Sequence, residues 1–157
     1  MGSQERRELS FSNWDEVIAD IESLASGSGA PQVAGSHSFA SIVRHLAITN
    51  EMVVGDQVPP KLPWYMRMAM PLLRNSILNN PVKPGFKLPN AQMQAFFWPE
   101  EEVSASDAID RFKASVARYN QAGPLPVHPI FGKATAQQVD TLSLSHAAMH
   151  LSFVQPG

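Results

Sequence analysis

The chain contains no cysteine. That one absence removes disulfides, thiolate nucleophiles, zinc-finger sites and Cys-ligated iron–sulfur clusters together. Any metal site must therefore use histidine, carboxylate or water. Charge of one sign is missing too. Twelve Lys and Arg face fourteen Asp and Glu, a formal net charge of −2, so no excess is left to coat a phosphate backbone and nucleic acid is not an expected partner. No apolar run approaches the ~20 residues of a membrane span, and no membrane partner is expected. Met1 to Leu9 is charged and polar, without the apolar region of a signal peptide. Arg6 stands where a myristoylation signal beginning at Gly2 wants Ser or Thr. The cytoplasm is the default compartment. No phosphate-binding Gly-rich loop, Gly-x-Ser-x-Gly elbow, basic stripe with interleaved aromatics or internal repeat is expected.

What is present is apolar material at helical spacing. With 157 residues and 44% hydrophobic residues, the chain suits a single domain over residues 1–157 with one packed core. A first helix is predicted from about Asn13 to Ala25, capped by Ser12 with Asp15 three residues on, its stripe formed by Trp14, Val17, Ile18, Ile21 and Leu24. A second runs from about Phe39 to Val54 behind Ser38, with Phe39, Ile42, Val43, Leu46 and Val53 inward and Gly55-Asp56 as its stop. A third main helix spans about Ala105 to Gln121 behind Ser104, and a fourth runs from a cap at Thr135 to about Phe153. No alternating strand pattern stands out.

Between the second and third main helices the texture changes. Eight of the thirteen prolines fall between Val58 and Pro99, which forbids a long regular element. Trp64 to Asn79 looks partly helical, with Pro71 kinking or dividing it. Phe86, Phe96, Phe97 and Trp98 are too apolar for a free linker and are expected to pack down. The implied fold is all-α: a four-helix bundle whose long crossover, residues 58–103, lets the second and third main helices lie parallel.

The histidines carry the chemistry. At about 100° per residue, Val139, Leu142, Met149 and Phe153 fall within about 60° of His146 on the fourth helix. His146 thus sits at the centre of an apolar face, and His150 follows one turn later, offset by about 40°. Two stacked imidazoles in an apolar interior are costly unless something satisfies them. A divalent cation does so, each neutral ring giving one lone pair at about 2.0–2.1 Å, and His-x-x-x-His on a helix suits the task. His45, at the edge of the second helix's apolar arc, completes a set of three if the second and fourth helices are neighbours. The alternative is three separately satisfied core histidines, bonded to Ser143, Thr49 or backbone carbonyls. His128 is read as shaping the turn into the fourth helix, and His37 as a surface or capping residue. Trp64, Tyr65, Phe86 and Trp98 either roof the site or form a second core layer under the crossover; the second reading is preferred. Met66, Met68 and Met70 spread around their helix and read as apolar filler.

Several segments carry a family resemblance: Ile42-Val43-Arg44-His45-Leu46-Ala47, His128-Pro129-Ile130-Phe131-Gly132, the opening Phe11 to Ile18, and above all His146-Ala147-Ala148-Met149-His150-Leu151-Ser152-Phe153. From about Phe11 to Phe153 the chain resembles the DinB-like (YfiT-like) superfamily, in a branch known only as a domain of unknown function. The resemblance implies a four-helix bundle with a long crossover and a nickel or zinc ion on His45, His146 and His150. Met149 stands where members of this branch often have a further histidine, and Val139 where they often have an aromatic.

Three protein ligands leave a position for water or substrate, the pattern of a catalytic metal site. The resemblance implies an enzyme acting on a small molecule by thiol transfer, with a low-molecular-weight thiol, or by hydrolysis, and it is compatible with a homodimer. The zinc-protease pattern fails on one residue, because Ala147 occupies the place of the catalytic glutamate in His-Glu-x-x-His. Asp140 and Glu51 point away from the histidines, so no general base is named. The competing reading is a non-catalytic bundle, with a structural metal or none, that acts by pairing with another protein.

Overall fold

Helix α2 (Phe39–Val54) is the buried centre of the molecule, with twelve of its sixteen residues out of solvent. Ser38 caps it by accepting the Ser41 N–H, and Gly55 stops it in the left-handed region at φ 89°. Both ends are where the sequence places them. The structure, a computed structural model, describes residues 5–157; Met1 to Gln4 of the polar N-terminal stretch lie outside the described residues.

The chain is mostly helical. Among the described residues there are six helices: α1 (Trp14–Ala25), α2, α3 (Trp64–Asn79), α4 (Ala91–Phe97), α5 (Ala105–Ala122) and α6 (Ala136–Leu151). α2 packs chiefly on α5. The contacts advance in step along both helices: Arg111 pairs with Glu51 and Arg118 with Asp56, while Arg44 near the start of α2 reaches residues just ahead of α5. The two helices therefore run parallel, as the long connection between them permits. Between them lie Phe112 and a buried Asn50–Ser115 hydrogen bond of 3.2 Å. α1 closes one side with Trp14, Val17, Ile21 and Leu24, and Trp14 meets Phe112 and Tyr119 edge-on. α6 touches α1, α2 and α3, so the neighbourhood that His45 requires is formed.

Four two-residue strands add local ties that no alternation in the sequence reveals, since two residues are too few to show a period of two. β1 (Gln32–Val33) pairs antiparallel with β4 (Val154–Gln155), binding the loop after α1 to the end of α6. β2 (Val127–His128) and β3 (Gly132–Lys133) form a small hairpin leading into α6.

Four local expectations are corrected. Asn13, not Ser12, caps α1: its side chain accepts the Glu16 N–H at 3.0 Å while Glu16 takes the Ser12 N–H at 2.7 Å, a reciprocal pattern displaced by one residue. α3 runs through Pro71 undivided. Pro71 and Arg67 are both exposed, so water can satisfy the carbonyl that Pro71 leaves unpaired. α6 ends at Leu151, short of Phe153. Phe86 does not pack down; it follows the turn at Gly85, where φ is 101°, and is 68% exposed.

Candidate metal centre

His45 leaves α2 toward α6 and is 5% exposed. Its Nδ1–H donates to the Phe97 carbonyl at 2.9 Å. That bond fixes the tautomer and leaves Nε2 with a bare lone pair. His45 Nε2 lies 3.3 Å from His146 Nε2, and His150 Nε2 lies 3.0 Å from the same atom. The candidate ligand nitrogens of the three rings all fall within 4.8 Å of one another. One cation bound at about 2.0–2.1 Å would space its nitrogens by about 3.3–3.4 Å at tetrahedral angles and about 2.9 Å at right angles. The two shortest separations match that range.

The tautomers make the same point. With His45 Nε2 an acceptor, both short contacts centre on His146 Nε2. If His146 Nε2 carries the N–H, it can serve only one neighbour well; if it accepts from His150 instead, its lone pair faces that of His45. Protonation does not resolve the conflict. Burial pushes His146 down to about 4. Burial first, then repulsion from His146, holds His45 well below its ordinary range, against the opposing pull of the Phe97 carbonyl. His150 is lowered by burial and then by its histidine neighbours. At neutral pH all three rings are uncharged, which is the form that binds a metal. Of the separate partners, a backbone carbonyl, that of Phe97, takes the His45 Nδ1–H, while the Thr49 hydroxyl is turned to the Leu46 carbonyl at 2.8 Å.

The ring set is held by the end of the segment that joins α2 to α5. Arg44, buried beside His45, donates through its guanidinium to the carbonyls of Pro99 and Glu101. With the His45–Phe97 bond, this fastens residues 97–101 along α2. Trp98 is thereby laid flat on His45, ring centroids 3.9 Å apart and planes 7° apart, and stands edge-on to His150 at 5.4 Å. His37 stacks on the other side of Trp98 at 3.8 Å. Trp98 is thus a roof over the site, against the preferred reading of it as second-layer core, and His37 is more than a surface cap. Trp64, Tyr65 and Phe86 do neither job, being exposed. The sequence signal for Trp98 was its place one residue after a buried aromatic in a Pro-bounded segment. Nothing in the spacing reveals the His37 contact. His146 and His150 are only partly buried.

His128 stands apart from this cluster. It is buried in the β2–β3 hairpin, where its Nδ1 accepts the N–H groups of Ile130 and Phe131 at 3.1 and 3.2 Å. It shapes the turn, as read from the sequence. Asp140 accepts from the Tyr119 hydroxyl and Glu51 is bidentate with Arg111. Neither carboxylate serves the histidines.

The model of the family described as Protein of unknown function (DUF1569) matches residues 3–157. The chain belongs to that family. No curated protein and no solved structure matches the chain.

Proposed function

We propose that this DUF1569 protein is a metal-dependent enzyme acting on a small molecule at the centre formed by His45, His146 and His150, on a four-helix bundle of the DinB-like kind with α3 and α4 as its crossover. The observation that carries this reading is the convergence of three imidazole nitrogens, one with its tautomer fixed by the Phe97 carbonyl, at a site that stays partly open. A closed four-ligand site would suit a structural ion; three ligands and an opening suit catalysis. Nickel and zinc both fit an all-imidazole set.

A divalent ion on these ligands supplies Lewis acidity and stabilises the deprotonated form of a bound water or thiol. The chain's own residues do the rest. His45 is oriented by Phe97 and Trp98 covers one side of the ligand set; substrate would approach on the side where His146 and His150 are only partly buried. Ala147, in the place of a catalytic glutamate, and the engaged Asp140 and Glu51 supply no base. That favours a nucleophile acidic enough to ionise with the metal's help alone. A thiol, with a free pKa near 8.5, needs a smaller shift than water at about 15.7, and zinc on three imidazoles brings bound water to about 7, so both thiol transfer and hydrolysis meet this condition.

The test is elemental analysis of untagged protein beside a His146→Ala, His150→Ala double variant. About one equivalent of nickel or zinc in the wild type, lost in the variant, supports the centre and directs a screen of low-molecular-weight thiols, then small esters and amides. A metal-free wild type that resists reconstitution overturns the reading.

A further inference from the structure

The net charge of −2 hides a separation along the chain. Residues 57–99 hold five basic side chains (Lys61, Arg67, Arg74, Lys83 and Lys87) and no Asp or Glu; the rest holds seven basic side chains against all fourteen acidic ones. This basic stretch is also where the apolar surface is exposed. Among the large hydrophobic residues outside the core, Trp64 is 70%, Met68 71% and Leu72 86% exposed, with exposed Tyr65 and Leu73 beside them in sequence and exposed Phe86 in the loop after α3. A basic segment with interleaved aromatics is therefore present, which corrects the expectation that the chain has none.

The helical geometry places these residues together. With Met68 at zero and about 100° per residue, Trp64, Tyr65, Pro71 and Leu72 all fall within about 60° of it. The opposite face carries Met70 and partly buried Met66 and Ile77, which pack inward. The outward face of α3 is thus apolar over its first two and a half turns, with exposed Arg67 on its flank and Lys61 just ahead of the helix. Exposed Lys83, Phe86 and Lys87 follow in the loop after α3. No helix of the described residues is long and apolar enough to cross a membrane, and α3, with two arginines in sixteen residues, is built to lie on a surface rather than span it.

We infer that the outward face of α3 docks on an anionic lipid bilayer, with Trp64, Met68 and Leu72 entering the headgroup boundary and the surrounding Lys and Arg meeting acidic headgroups. Charge selects this occupant over the others. A second copy meeting the same face about a two-fold axis brings Lys61 and Arg67 against their own mates, and the segment offers no carboxylate to answer them. A nucleic acid would engage the basic side chains but gives no return for exposing Leu72 and Met68. A bilayer rewards both halves of the pattern, and an interfacial tryptophan is characteristic of it. The inference is independent of the metal centre.

Vesicle flotation tests it on the whole chain. Mixed phosphatidylglycerol–phosphatidylcholine vesicles are expected to carry the protein at least about tenfold more strongly than pure phosphatidylcholine vesicles, with the difference reduced by salt. Trp64→Ser with Leu72→Ser, and separately Lys61→Glu with Arg67→Glu, are each expected to abolish flotation. All four side chains are exposed, so the melting temperature serves as the folding control, and either pair carries the test if the other fails to fold. No flotation with the anionic vesicles overturns the inference. So does equal flotation with neutral ones, or a dimer in solution that Trp64→Ser, Leu72→Ser dissociates, which would hand the face to a second copy.

Discussion

The α2–α5 pair and the crossover between them are built on opposite terms. The pair buries Phe112 and much of α2, closes its polar interior with the Asn50–Ser115 bond and staples its edges with the Glu51–Arg111 and Asp56–Arg118 pairs. The connection, longer than both helices together, buries few residues (Met70, Leu78, Met93 and Phe97 within its helices) and exposes Trp64, Met68 and Leu72. The candidate centre lies where the two meet. Regular helices supply the three histidines, and the irregular end of the crossover supplies the Phe97 carbonyl and the Trp98 face that orient them. A rigid scaffold fixes where the ligand atoms are; a loop held by a few polar contacts decides how they point.

The largest effect separates the two regions by stability. Phe112→Ala empties a fully buried site between α1, α2 and α5 and is expected to cost about 3–5 kcal/mol. Leu72→Ala, on the outward face of α3, is expected to change stability by no more than about 0.5 kcal/mol. Urea unfolding followed by circular dichroism measures both. Comparable losses would mean that α3 belongs to the same core and would break the comparison.

Acid gives the next largest separation. Residues 57–99 contain neither histidine nor carboxylate, so pH acts on the flanking structure. His128, outside the crossover, is lowered by burial to about 4 from an ordinary 6.5. The unfolded chain then binds more protons between those values. The contribution is complete above about pH 6.5 and is lost as pH falls toward 4, amounting to about 2.5 kcal/mol by pH 4.5. Unfolding of chelator-treated wild type and His128→Gln at pH 7 and 4.5 should show a slope smaller by roughly that amount in the variant. Equal slopes would show that His128 accepts its proton without loss of the hairpin.

The regular region was largely legible in the sequence and the crossover was not, for reasons that can be traced to single residues. Ser38, Ser104 and Thr135 cap their helices because a short hydroxyl side chain three residues ahead of a free N–H has few other uses. His146 and His150 could be placed together because one turn of helix fixes both their azimuth and their rise. Joining His45 to them needed the α2–α6 contact, which helical periodicity does not supply and the family resemblance anticipated. Asn13 displaced Ser12 because two adjacent capping residues differ only in register. Trp98, Phe86 and Trp64 look alike in sequence, yet the first roofs the site and the other two face outward. What separates them is the Arg44 contact to Pro99 and Glu101, a long-range bond with no local signature.

That contact allows the smallest and most specific test. Arg44 holds two backbone carbonyls at once, through separate nitrogens of one planar guanidinium. Lysine keeps the charge but presents a single point donor on a flexible stem, so Arg44→Lys should retain one carbonyl and release the other. The helix itself loses nothing, since both residues are good helix formers. The segment 97–101 should loosen, and with it the Phe97 carbonyl and the Trp98 ring. Contacts that orient a ligating histidine are worth tenfold to a hundredfold in metal affinity, and a half-kept latch should lie at the lower end, about tenfold or 1.4 kcal/mol. Competition with a chromophoric chelator reads the affinity, and quenching of Trp98 fluorescence in a Trp14→Phe, Trp64→Phe background reads the ring's position. Weaker metal binding with Trp98 unmoved would assign Arg44 an electrostatic effect on the site; both changing together would show that the crossover positions the centre.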